Sequence, residues 1–147
     1  EENAKPCGLW ISPVEDGMPA WRAWCEDECW SPGVYTHKYQ LNNIPYCTLE
    51  DTLNGEGEGR VLLLTTEQEV RELTWEFLGK HEYVLKWDEL AKLTNGIVIT
   101  PYQWELRFSM LRWYSGWDMS SGCIWKRPEE MVIESIPLDW NGEVAKP

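Results

Sequence analysis

Residues 96–127 read GIVITPYQWELRFSMLRWYSGWDMSSGCIWKR, and their first nine positions set the architecture. Asn95-Gly96 follows an apolar helical run and reads as a helix stop, because both residue types tolerate positive φ. Ile97, Val98 and Ile99 are β-branched, which favours a strand, and three in a row predict one buried on both faces. Pro101 has no N–H and ends the ladder. Tyr102, Gln103, Trp104 and Glu105 therefore follow the end of a central strand, where a rigid scaffold presents polar groups. Two readings stand side by side. Either Tyr102 and Trp104 are core or rim aromatics with Glu105 a solvated charge, or Glu105 faces a cleft lined by Trp104 and by Tyr102, Trp113 or Trp117.

Upstream, residues 61–64 read as a short buried strand. Thr66 and Glu69 match a capping box that opens a helix. That helix carries Val70, Leu73 and Phe77 on one stripe and stops at Gly79. Asp88 caps a second helix that runs to Asn95-Gly96. Residues 42–60 read as weakly structured, with GEGEGR at 55–60 a flexible exposed loop.

Nearer the start, residues 8–12 form a short strand between Pro6 and Pro13. Asp16-Gly17 marks a turn, and Pro19 suits a first helical position. Trp21, Trp24 and Cys25 then fall at helical spacing. Residues 34–41 have strand propensity. Downstream, residues 123–125 and 132–136 read as strands, and 139–147 as a polar tail. With no strict βαβ alternation, the expected fold is α+β: one compact domain over 1–147, a mixed or antiparallel sheet, and two to three short helices.

Composition narrows the chemistry. The chain has 147 residues, 11 tryptophans and a net charge of −12. The charge argues against direct contact with a nucleic-acid backbone, which needs clustered Lys and Arg. It suits an acidic surface that attracts a basic partner, and equally a soluble protein whose charge has no role in binding. No apolar run has transmembrane length. Five cysteines, Cys7, Cys25, Cys29, Cys47 and Cys123, make an odd set without paired Cys-x-x-Cys knuckles. Free thiols in a reduced, cytoplasmic setting are expected, with no metal site. His37 and His81 are the only histidines, which excludes a multi-histidine metal centre and disfavours a Ser-His-Asp triad. Phosphate-loop, nucleophile-elbow and zincin motifs are absent. Carboxylates among aromatics remain: Glu105 beside Trp104 and Asp118 beside Trp117. Such a carboxylate suits hydrogen bonding to a ligand hydroxyl, and the aromatics suit stacking on a base or nicotinamide ring.

The segments KPCGLWIS (5–12), WRAWC (21–25), PYQWELR (101–107) and WDMSSGCIW (117–125) resemble those of a family of small phage and bacterial proteins of unassigned function. More distantly, an early Gly-x-aromatic-x-Ser strand and a later Gln-x-Glu are similar to mono-ADP-ribosyltransferases. That resemblance implies an NAD pocket in which Ser12 and Trp10 lie on the serine strand. It places Tyr102 and Trp104 against the cofactor and Gln103 and Glu105 at the reacting bond. Glu105 would hold the nicotinamide ribose and polarise the leaving bond. Three functions of different classes follow: an ADP-ribosyltransferase-like domain modifying a host target, a non-catalytic acidic protein that blocks a basic host protein by mimicking nucleic-acid charge, or a small-ligand-binding domain. The first two place the chain in host cytoplasm.

Overall fold

The computed structural model describes residues 5–15, 18–20, 37–41, 43–79, 84–107 and 111–137. Its strands are β1 (Leu9–Ile11), β2 (Val14–Glu15), β3 (Met18–Pro19), β4 (His37–Leu41), β5 (Tyr46–Cys47), β6 (Val61–Leu64), β7 (Gly96–Ile99), β8 (Ser121–Ile124) and β9 (Val132–Pro137). Its α-helices are α1 (Leu49–Leu53), α2 (Glu67–Phe77), α3 (Trp87–Ala91) and α4 (Trp104–Arg107). Two 3₁₀ turns, Arg112–Gly116 and Pro128–Glu130, precede β8 and β9. The expected helix after Pro19 falls mostly on residues 21–30, outside the described residues. Pro19 itself pairs with Val14 at the end of the β2–β3 ribbon, and helical Ala20 follows it directly, one residue after the expected start.

Five strands form one mixed sheet in the order β1-β8-β7-β6-β5. β5, β6 and β7 are parallel, while β8 and β1 join antiparallel. The β-branched run lies in the middle strand, with all four residues of β7 buried, as the sequence predicts. Alternation along the strands divides the core in two. Leu62, Leu64, Ile97 and Ile99 face a layer made by Leu49 of α1, Val70, Leu73 and Phe77 of α2, Trp87 and Leu90 of α3, Leu106 of α4, and Trp113, Tyr114 and Trp117. Val61, Val98 and Ile124 face the other way, against Met131 and the partly buried Leu41 at the end of β4. β4 and β9 pair antiparallel as a separate ribbon. Helices on one face and a ribbon on the other make the fold α+β. No helix among the described residues is long and apolar enough to cross a membrane.

Several local expectations are corrected. Gly96 is not a left-handed helix stop. It is the first strand residue, and a Cβ there would lie 2.6 Å from the Cys123 carbonyl oxygen, so the position needs glycine for close strand approach. Within the stretch expected to be weakly structured, residues 43–60 hold β5 and α1. Thr48 and Asp51 form a reciprocal capping box, with Thr48 N–H donating to Asp51 Oδ2 and Asp51 N–H to Thr48 Oγ1, both at 3.1 Å. The GEGEGR segment is not a free loop. Gly57 is buried, Gly59 N–H donates to Asn95 Oδ1, and Arg60 donates to the carbonyls of Tyr46 and Glu56. Asp88 lies inside the first turn of α3, whose N-cap is Lys86. At α2, Thr66 accepts from Glu69 N–H as expected, but the Glu69 carboxylate reaches back to Thr65 N–H instead of Thr66 N–H. The helix ends at Phe77, two residues before Gly79.

Candidate ligand cavity beside the first strand

Register brings one end of the sheet together. Ile11 pairs with Gly122, Ser121 with Ile99, and Ile99 with Leu64. The residues after β1, β6 and β7 therefore emerge beside the start of β8. Two chain segments enclose a cavity of about 490 Å³ there. Lys5 and Trp10, Ile11 and Ser12 form one wall, and Gly116, Trp117, Asp118 and Met119 with Ser121 form the other. Its volume lies within the ordinary range for small-ligand sites.

The aromatic wall is built in depth. Trp10 is 40% exposed and meets buried Trp117 edge-on at 5.1 Å between centroids. Behind Trp117, Tyr114 and Trp87 stack at 6.1 and 6.4 Å, and Trp113 packs edge-on at 6.0 Å. Such a cluster fixes the position of the exposed ring. Trp117 Nε1 is buried without a hydrogen-bond partner among the described residues, as is Trp87 Nε1. The Lys5 ammonium lies 5.7 Å from the centroid of the Trp10 ring. Gly116 leaves room for that side chain: a Cβ there would approach Lys5 Cε to 3.2 Å. Asp118 and Ser12 are half-buried in the walls. Ser121 Oγ donates to the Met119 carbonyl at 3.1 Å, which braces the loop.

The residues singled out from the sequence divide into two places. Ser12 and Trp10 line the cavity, with Asp118 opposite. Tyr102, Gln103, Trp104 and Glu105 lie at the same end of the sheet but outside the cavity wall. Gln103 sits over β6 and β7: its side-chain amide donates to the carbonyls of Thr65 and Pro101, and its N–H donates to Tyr114 Oη. Three strand spacings, roughly 14 Å, separate β6 from β1. Tyr102 stacks on Tyr114 at 5.3 Å and takes Trp104 edge-on at 4.9 Å. Trp104 is 60% exposed, Glu105 is exposed, and Trp113 and Trp117 belong to the core. Lys5, Gly116, Met119 and Ser121 had no signal as site residues, because they meet only through strand register and the turn at Gly8.

Cys7, Cys47 and Cys123 carry free thiols, while Cys25 and Cys29 lie outside the described residues. Burial, with a smaller contribution from nearby Cys7, pushes the Cys123 thiol up to about 12. Burial likewise raises the Tyr114 hydroxyl above its ordinary value. Both groups are therefore neutral at physiological pH. No family model, curated protein or solved structure matches this chain.

Proposed function

We propose that the chain is a small-ligand-binding domain whose cavity takes a planar ring bearing an anionic group, the chemistry of a nucleotide of the NAD class. The observation that carries this reading is the half-exposed Trp10 ring under the Lys5 ammonium, opening onto Ser12 and Asp118. An exposed indole held by a buried aromatic cluster offers a stacking face at small entropic cost. The ammonium supplies a donor for phosphate or carboxylate oxygens. Ser12 and Asp118 line the same cavity and add polar groups to its walls. Transfer of ADP-ribose through Glu105 is the enzymatic extension, and it is supported by the motif resemblance alone.

The test is thermal melting and calorimetry with NAD, AMP and nicotinic acid. Ligand at a hundredfold excess over Kd stabilises the folded state by about 2.7 kcal/mol, a rise of roughly 5–10 °C in Tm for a chain of this size. Trp10→Ala should remove that rise, read against the variant's own unliganded Tm, which should fall by several degrees because the contact with Trp117 is lost. If none of the three ligands shifts Tm, or if W10A responds as the parent does, the cavity is not this site. E105Q separates binding from turnover. It should keep the NAD shift, because Glu105 lies outside the cavity wall, and only a loss of ADP-ribose transfer in this variant would tie Glu105 to the chemistry.

A further inference from the structure

A second feature lies among the helices and shares no lining residue with the cavity. There α1 and α2 leave a groove of about 270 Å³, floored by Leu49 and Leu53 and bounded by Glu50, Asn54, Glu72 and Glu76. Leu53 is 46% exposed, so the floor is open to a partner. No cation among the described residues pairs with Glu50, Glu72 or Glu76. The ion pairs nearby use other carboxylates: Arg60 meets Asp51 and Arg71 meets Glu67. Among the described residues, Glu72 accepts only from the neutral amide of Gln68, at 3.1 Å. Neither α1 nor α2 has a basic residue in its last turn, and Glu76 stands in the last turn of α2. Glu76 thus adds to the negative end of the α2 dipole, an arrangement that a bound cation relieves. Trp75, beside Glu76 in the chain, is 81% exposed and offers a ring face to a guanidinium.

We infer that this groove docks a basic polypeptide segment, with an aliphatic side chain seated on Leu49 and Leu53 and flanking Arg or Lys side chains against Glu50, Glu72 and Glu76. The three carboxylates select a cationic partner and repel nucleic acid and anionic membrane alike. The apolar floor separates this surface from a merely acidic one, because it rewards an anchor residue as well as charge. The inference is independent of the cavity reading.

The probe is a fluorescein-labelled peptide of repeating arginine–leucine–lysine units, titrated with the full chain and followed by anisotropy. A second peptide carries serine in place of leucine. E50Q/E72Q/E76Q should weaken binding of the leucine peptide by about tenfold or more, and raising salt should weaken it further. The control E89Q/E129Q/E130Q removes the same charge elsewhere and should change Kd by less than about twofold. All three groove positions carry polar side chains at the rim, so the glutamine variant should melt at or above the parent Tm. Leu53→Ser provides a second variant that keeps every charge, and it should bind the leucine peptide as weakly as the parent binds the serine peptide. Equal loss in the two triple variants would assign binding to the general field of the acidic chain and overturn the inference. Equal affinity for both peptides would overturn it too, as would self-association abolished by the groove variant, which would make a second copy the occupant.

Discussion

Trp113 shows how a single polar atom is accommodated in this core. Its indole Nε1–H donates to Thr74 Oγ1 at 2.9 Å, and the Thr74 hydroxyl donates onward to the Val70 carbonyl at 2.8 Å. Thr74→Val keeps the shape and leaves the indole donor buried without a partner. The expected loss is about 1–3 kcal/mol in urea denaturation, with T74S recovering most of it because the hydroxyl returns. Cys123 gives the pH counterpart. Its folded value of about 12 lies above its ordinary 9.0, so the folded state holds the proton more tightly than the unfolded chain does. Stability from this group is complete below about pH 9 and falls as pH rises toward 12. Burial of Tyr114 acts in the same direction from its ordinary 10.0 upward. Cys123→Ala should therefore flatten the fall in stability between about pH 9 and 10, before tyrosine ionisation sets in. An unchanged slope in pH-dependent denaturation would show that the thiol titrates normally.

Among the elements, β7 carries the most weight. It is the middle strand, it is buried on both faces, and it joins the parallel half of the sheet to the antiparallel half. Val98 is 2% exposed and packs with Val61 and Ile124. V98D places an unpaired carboxylate in that layer, and the expected loss exceeds about 4 kcal/mol, seen as absence of a cooperative thermal transition. The neighbouring strand explains the glycines. At Gly122 a Cβ would come within 2.6 Å of both the Ile97 carbonyl oxygen and Val98 Cγ2. Close strand approach, not turn geometry, sets that residue type. The β-branched run was legible because its signal is local, whereas α1 was missed because Asp51 stands where a capping box ordinarily has Glu or Gln.

At the scale of the molecule, the charge of −12 acts on everything else. Self-repulsion among surface carboxylates opposes the compact state, and salt screens it. Raising NaCl from ~20 mM to ~0.5 M should raise Tm by a few degrees in calorimetry, the reverse of the effect on peptide binding at the acidic groove. A Tm independent of salt would mean that local ion pairs already balance the field. The two candidate sites share no lining residue. Three of the 11 tryptophans, Trp87, Trp113 and Trp117, pack with Tyr114 in the core. The remaining described tryptophans, Trp10, Trp75, Trp104 and Trp125, are exposed or partly so.

The central strand, the buried strand before it, the α2 stripe, the strands beside Cys123 and Val132, and the α+β class were legible along the chain. Each of these rests on residues within one element, where β-branching, helical spacing and proline act at short range. Tertiary structure decided the rest. Gly96 was read as a stop because its pairing with the β8 backbone is invisible along the chain. Trp113 and Trp117 were expected around Glu105 because they are near it in sequence, yet strand register carries Trp117 to Trp10 instead. Ser12 and Asp118 meet across a cavity only because β1 returns to pair with β8, more than a hundred residues later. Register and strand order depend on which faces can be buried together, and that is a property of the whole chain.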